Sequence, residues 1–233
     1  MEFQRARSEE QREQRRRVIL DTAASMLAEM PVAAISLNEL SRRVGLAKSN
    51  VLRYFESREA VLLELLNTEF DQWIRQLRQR VPSGAGSTRE RGDGLAEALA
   101  TTMAERPVLC DLISAQAAVL ERNISTEVAL RFKGAIGQSA DQVTSIVAGA
   151  LPELGPDEAY HVVVVALMIV SAAWPHSQPT AALQAAYDAD PRIAAGQLDF
   201  TDFVGTTIAI TISGLLARHG GDIPTAWAPA QAT

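Results

Sequence analysis

The chain has 233 residues, 47% of them hydrophobic, enough for one large domain or two of ordinary size around a real core. A formal net charge of −6 excludes a protein that coats nucleic acid over its whole surface, so any such contact must come from a local patch. Basic charge gathers at one end: residues 1–60 hold 11 Lys and Arg against 9 Asp and Glu, while the remainder hold 11 against 19.

Residues 1–14 are rich in Arg, Glu and Gln and have little to bury, which predicts a mobile N-terminal arm. From Arg15 onward Ile19, Ala23, Met26, Leu27 and Met30 recur at helical spacing until Pro31, which predicts a helix over 15–29. Ser36-Leu37-Asn38-Glu39 has the pattern of a capping box, in which the Ser36 hydroxyl accepts from the Glu39 amide and the Glu39 carboxylate reaches back. It opens a short helix with Leu37, Leu40 and Val44 on one face. Gly45 then interrupts the pattern, supplying the left-handed conformation of a tight turn, and helical spacing resumes from Lys48 to Phe55. Residues 36–55 therefore read as helix, turn, helix. Ser57 is placed to cap a long helix over 58–80, roughly 36 Å in length at about 1.5 Å per residue and able to join one domain to another.

Pro82-Ser83-Gly84-Ala85-Gly86-Ser87 is the clearest linker, and Gly92-Asp93-Gly94 reads as part of the same region. Every long segment beyond it predicts helix: 95–105, a second opening at Pro107, 127–150, 156–174, a short one near 180–187, and 199–219 stopped by Gly220-Gly221. Val162-Val163-Val164-Val165 has strand propensity, but no other strand-like segment exists to pair with it, so helix is expected. Cys110 is the single cysteine, which excludes an intrachain disulfide; its apolar setting predicts a core residue. No signal-peptide pattern stands near the N-terminus, and the strongest apolar run, 162–170, falls short of the ~20 residues that span a bilayer. A soluble, cytoplasmic, all-α protein without membrane contact is expected. Its domains are an arm over 1–14, a three-helix helix-turn-helix domain over 15–60 and a helical bundle over 61–233.

In a helix-turn-helix the second helix lies in the major groove and the first braces it. Val51 and Phe55, four apart, share the inward face against Leu40 and Val44. Lys48, Ser49, Asn50, Arg53 and Tyr54 are left facing outward. Asn pairs bidentately with adenine and Arg with guanine, while Lys and Tyr hold phosphates, so this face suits double-stranded DNA.

The run from Ser36 through Leu62, with Gly45, Tyr54-Phe55 and Ser57-Arg58-Glu59-Ala60 at characteristic spacing, resembles the DNA-binding signature of TetR-family bacterial regulators. The resemblance covers about residues 15–66. It implies that Ser36 and Asn38 stand near phosphate and base edges, that Lys48, Ser49, Asn50, Arg53 and Tyr54 form the reading helix, and that Arg58 grips a phosphate. Ala47 departs from the common pattern, where a hydroxyl residue is frequent, and so does Leu52, where Tyr is frequent. The operator sequence therefore does not carry over from relatives.

The resemblance further implies a homodimer on a palindromic operator, with the last two long helices as interface: Gly205, Thr206, Ala209 and Gly214 beside Ile208, Ile212 and Leu215. It implies a helical-bundle domain for dimerisation and for a small, largely apolar effector, which Trp73, Met103, Phe132, His161 and Trp174 are suited to line. Repression relieved by that effector is the expected mode; an activator, a regulator answering to a protein partner, and an all-helical interaction module are the alternatives. His161, His176 and His219 are too dispersed for a metal site, and no catalytic constellation or cofactor loop is present, so neither enzyme activity nor a cofactor is expected.

Overall fold

The computed structural model describes the backbone of residues 2–82 and 84–218 and the side chains from Glu9 onward. The described residues are helical, with eleven α-helices in chain order: α1 Glu2–Leu27, α2 Leu37–Val44, α3 Lys48–Val51, α4 Arg58–Arg80, α5 Thr88–Ala104, α6 Pro107–Ala115, α7 Thr126–Ala150, α8 Pro156–His176, α9 Ala181–Ala189, α10 Pro191–Ala194 and α11 Phe200–Arg218. They form two compact units. The first comprises residues 2–72 and 106–136, the second 73–105 and 137–218.

The first unit is built around the apolar stripe of α1. Ile19, Ala23 and Met26 are fully buried and meet Leu40 of α2, Val51 and Phe55 around α3, and Leu62 and Leu66 of α4, all in the core. Leu109 and Leu112 of α6 are buried in the same unit, where α6 contacts α1. Each such side chain contributes about 1.5–3 kcal/mol by leaving water. Three local differences from the sequence reading stand out. First, α1 starts at Glu2 rather than Arg15, because Arg, Glu and Gln are good helix formers that extend a helix already anchored downstream. Second, the capping box at Ser36 is half made: the Glu39 amide donates to Ser36 Oγ at 3.2 Å, but the Glu39 carboxylate is taken by Arg42 and Arg43. Third, regular helix in the reading segment covers only Lys48–Val51; Arg53 and Tyr54 donate instead to carbonyls three residues back, Asn50 at 3.3 Å and Val51 at 2.9 Å. Ala47 at the N-cap offers no side-chain bond, as its methyl group requires. α6 ends in a single π-helical turn, Gln116–Leu120.

The second unit packs α11 on α5 and α8. Val204, Ile208, Ile212 and Leu215 form the buried stripe of α11, and Gly205 faces α5, where an added Cβ would stand in ordinary contact 3.5 Å from Ala100 Cβ. Small residues expected at a dimer interface thus serve partly inside the subunit, and Ile208, Ile212 and Leu215 are core. α5 begins at Thr88, well ahead of the expected residue 95. The cause is a full capping box: the Ser87 amide donates to Glu90 Oε2 at 2.8 Å and the Glu90 amide to Ser87 Oγ at 3.3 Å. Gly92 and Gly94 therefore lie in a helix, not in the linker. The helices at Pro107, Pro156 and Ser57 begin where expected, with the Ala60 amide donating to Ser57 Oγ at 3.1 Å. The valine run is helical within α8. The expected stop at Gly220-Gly221 and His219 lie outside the described residues.

Candidate nucleic-acid interface

The turn that presents the reading segment rests on Gly45, which has φ 73° and caps α2 in the left-handed region. No atom lies within 4 Å of a Cβ added there, so the glycine is required by conformation and not by crowding. Beyond it, the burial pattern divides the segment as its spacing predicts. Val51 and Phe55 are buried, Lys48, Ser49, Asn50 and Arg53 are exposed, and Tyr54 is half-buried. Ser36 and Asn38 are exposed at the start of α2, on the same compact unit.

The cations of this unit fall into two groups. Arg42 and Arg43 share the Glu39 carboxylate at 2.6 and 3.0 Å, and Arg43 also reaches Glu29 at 2.7 Å. Hydrogen bonds from the two guanidinium groups hold the Glu39 carboxyl at about 2, well below the usual carboxylate range. Arg58, expected from the resemblance to grip a phosphate, donates within the chain to the Ile35 carbonyl at 2.9 Å and pairs with Glu59 at 2.9 Å, tying α4 to the chain before α2. Arg16 donates to the Tyr54 carbonyl at 2.6 Å, pairs with Glu64, and stacks 4.4 Å from the centre of the Phe55 ring. All of these are structural braces. By contrast, Lys48 and Arg53 make no ion pair among the described residues. Nor do Arg12, Arg15 and Arg17 of α1.

Arg15, Arg16 and Arg17 are adjacent and chemically identical in the sequence. The tertiary structure separates them: Arg16 is half-buried against Phe55, whereas Arg15 and Arg17 stay exposed. It also brings Gln11, Arg12, Gln14 and Arg15 of α1 beside Arg53 and Tyr54, where together they line an open cleft of about 650 Å³. No sequence motif marks that juxtaposition; the one available signal was the 11, 12, 14, 15 spacing of polar side chains on one face of a helix.

The residues named for an effector site do not share one unit. Phe132 is buried in the first, while Trp73, Met103, His161 and Trp174 belong to the second. Trp73 donates from Nε1 to Thr102 Oγ1 at 2.9 Å, and Trp174 meets the Phe200 ring edge-on at 5.1 Å. His161 is half-buried on α8. Among the described residues no group of His, Cys, Asp and Glu has a metal-binding arrangement. The outward faces of α8 and α11 are apolar: Met168 and Ile210 are each 66% exposed and Phe203 is 47% exposed. Both helices are long and apolar enough, by length and composition, to cross a membrane.

Comparison with known proteins gives two domain matches. Residues 19–65 match the domain described as bacterial regulatory proteins, tetR family, and residues 67–219 match a tetracyclin repressor-like C-terminal domain. The HTH-type transcriptional regulator EthR of Mycobacterium tuberculosis is 36% identical over 72 residues, 31% of this chain and 33% of that protein. The chain thus spans about a third of the length of the curated relatives it matches. The fatty acid degradation regulator FadR from Bacillus halodurans superposes with a TM-score of 0.54 at 16% identity, covering 85% of this chain and 98% of that one. FadR from Bacillus subtilis, solved in complex with stearoyl-CoA, gives 0.53 at 13% identity, with 84% and 97% covered. A TetR transcriptional regulator from Rhodococcus sp. RHA1 gives 0.54 at 16%, with 88% and 96% covered. At these identities the likeness is one of fold.

Proposed function

Because this chain belongs to the tetR family of bacterial transcriptional regulators, we propose that it works as a cytoplasmic homodimeric repressor, released from a palindromic operator by a small, largely apolar effector. The observation that carries the reading is the division of cations in the first unit. Arg16, Arg42, Arg43 and Arg58 bond to carboxylates and carbonyls, while Lys48 and Arg53 stand exposed beside Ser49, Asn50 and Tyr54 with no ion pair among the described residues. A protein gains nothing in stability from leaving such side chains unpaired on a face whose opposite side is core, and base edges and phosphates are the partners their geometry suits. Ser36 and Asn38 add polar groups at the start of α2. Arg58 braces α4 against Ile35 and stays in the DNA-contacting set, since its bonds to Ile35 and Glu59 leave guanidinium donors for a phosphate.

One reading segment contacts only a half-site, so a two-fold protein is required for a palindrome. The apolar outer faces of α8 and α11, with Met168, Phe203 and Ile210 at their centre, support self-association through these two helices; they also account for helices as apolar as membrane spans in a DNA-binding chain. The effector site is assigned to the helical C-terminal domain, with Trp73, Met103, Phe132, His161 and Trp174 as its candidate lining. The stearoyl-CoA bound by Bacillus subtilis FadR is one instance of a largely apolar ligand held on this fold. Helix α4 has residues in both units, so an effector that prefers one tilt of α4 weakens DNA binding, and by linkage DNA weakens effector binding equally.

The test is to select bound duplexes from random DNA with the purified chain, then measure Arg53→Ala with Tyr54→Ala on the selected sequence. A loss of about 1–3 kcal/mol per base contact with the oligomer intact supports the reading. Unchanged affinity refutes it. An effector that binds but leaves operator affinity untouched refutes the release mechanism alone.

A further inference from the structure

We infer that the face of α1 preceding Arg16 is a second DNA element: Arg12 and Arg15, with Gln11 and Gln14, hold the sugar-phosphate strand next to the groove read by Arg53. This rests on the reading of residues 48–54 as DNA-contacting and extends it to a part of the chain that the helix-turn-helix does not include.

Three observations carry it. Arg16 fixes where α1 runs, since its guanidinium is bonded to the Tyr54 carbonyl at 2.6 Å, pairs with Glu64 and lies over the buried Phe55 ring. The turn of α1 just before it is therefore held against the end of the reading segment, and side chains one and four residues upstream project beside Arg53 and Tyr54. The resulting open cleft, about 650 Å³, is lined by Gln11, Arg12, Gln14, Arg15, Arg53 and Tyr54. All six can donate hydrogen bonds, three are permanent cations, and no carboxylate is in the lining. Glu13, in the middle of that stretch of α1, is directed toward Arg16 Nε at 3.9 Å.

An apolar effector does not suit such a lining, whereas a polyanion does. The cleft is continuous with the reading face, because Arg53 and Tyr54 belong to both. The polyanion that reaches Arg53 in the major groove must carry its own phosphates past the edge of that groove, where Arg12 and Arg15 stand exposed with no ion pair among the described residues. DNA backbone is the occupant that charge and continuity select. These contacts position the duplex without reading sequence.

The experiment uses the full chain and two duplexes of equal length, one selected by the protein from random DNA and one scrambled, titrated over a series of KCl concentrations. Arg12→Gln with Arg15→Gln is expected to lower the salt dependence by about 1.8 in the slope of log K against log salt per bound chain, at about 0.9 per phosphate. It should weaken both duplexes by the same factor, leaving sequence preference and melting temperature unchanged. Arg17→Gln, which removes one positive charge from α1 outside the cleft, is the control and should change the slope by far less than the roughly 0.9 expected for each cleft arginine. An unchanged slope in the double variant, while Arg53→Ala loses binding, overturns the inference and leaves the DNA reading standing. An equal effect per charge removed from Arg17→Gln overturns it in favour of bulk charge. Failure of Arg53→Ala to affect either duplex removes the underlying reading as well.

Discussion

Replacing Arg16 with Met keeps most of the aliphatic stem and removes the guanidinium, so it isolates the polar clamp between α1 and the reading segment. Three interactions are lost. The charged hydrogen bond to the Tyr54 carbonyl, 2.6 Å long, is worth about 1.5–3 kcal/mol in general and falls at the lower end here, because Tyr54 is half-buried and water can replace the donor. Stacking 4.4 Å from the Phe55 centroid adds about 0.5–1 kcal/mol. The pair with Glu64, whose side chain is 33% exposed, adds at most about 1 kcal/mol after screening. The expected loss is about 2–3 kcal/mol, a fall of roughly 4–12 °C in melting temperature for a chain of this size. Thermal unfolding followed by far-ultraviolet circular dichroism measures it, and a double-mutant cycle with Glu64→Gln should return a coupling of about 0.5–1 kcal/mol. A loss below about 0.5 kcal/mol, the range of ordinary surface substitutions, would refute the assignment of Arg16 as a clamp.

Gly45→Ala should cost about 1–2 kcal/mol from left-handed backbone strain alone, since the added Cβ meets nothing within 4 Å; Gly45→Asn should cost less, and equal costs would point to a steric cause. Hydrogen bonds from Arg91 and then Thr88 hold the Glu153 carboxyl at about 2, below its unfolded value of 4.5, so this group stabilises the fold above pH 4.5 and that contribution is lost as pH falls toward 2. Melting curves across that window should therefore fall less steeply for Glu153→Gln than for the parent chain; parallel curves would contradict the assignment. Burial, aided by the neighbouring Asp111 charge, pushes the Cys110 thiol up to about 12, so a thiol-specific reagent should label the native chain negligibly and one thiol per chain in denaturant. Rapid native labelling would show that α6 opens.

Local signals were legible wherever a short stretch of chain decides the outcome. Ser57, Pro107 and Pro156 marked helix starts because a cap or a proline acts on its own turn. Val51 and Phe55 were readable as inward because four-residue spacing fixes a helix face whatever it packs on. The Ser87-Thr88-Arg89-Glu90 cap was equally local and escaped notice because the glycines at 92 and 94 resemble linker; in α5 their missing side chains make room for Ile212 of α11 and for Pro82 respectively. Glu39 shows the opposite case. Its capping role was plausible from the sequence, and competition from two nearby guanidinium groups, stronger donors to the carboxylate than one backbone amide, decided against it.

By itself the sequence determined an all-helical chain with a helix-turn-helix near its N-terminus, an outward set of Lys48, Ser49, Asn50, Arg53 and Tyr54, and a buried Cys110, because periodicity, caps and turn residues act over a few positions. Only the tertiary structure decided which arginines are free. Arg12, Arg15 and Arg16 are indistinguishable by type, and so are Arg53 and Arg58. Whether each is a brace or an open donor depends on carboxylates, carbonyls and rings brought to it from distant positions: Glu64, Tyr54 and Phe55 for Arg16, Ile35 for Arg58. It likewise decided that Ile208 and Ile212 face α11's own subunit while Ile210 faces out, since both faces of that helix are apolar and only its packing partners tell them apart.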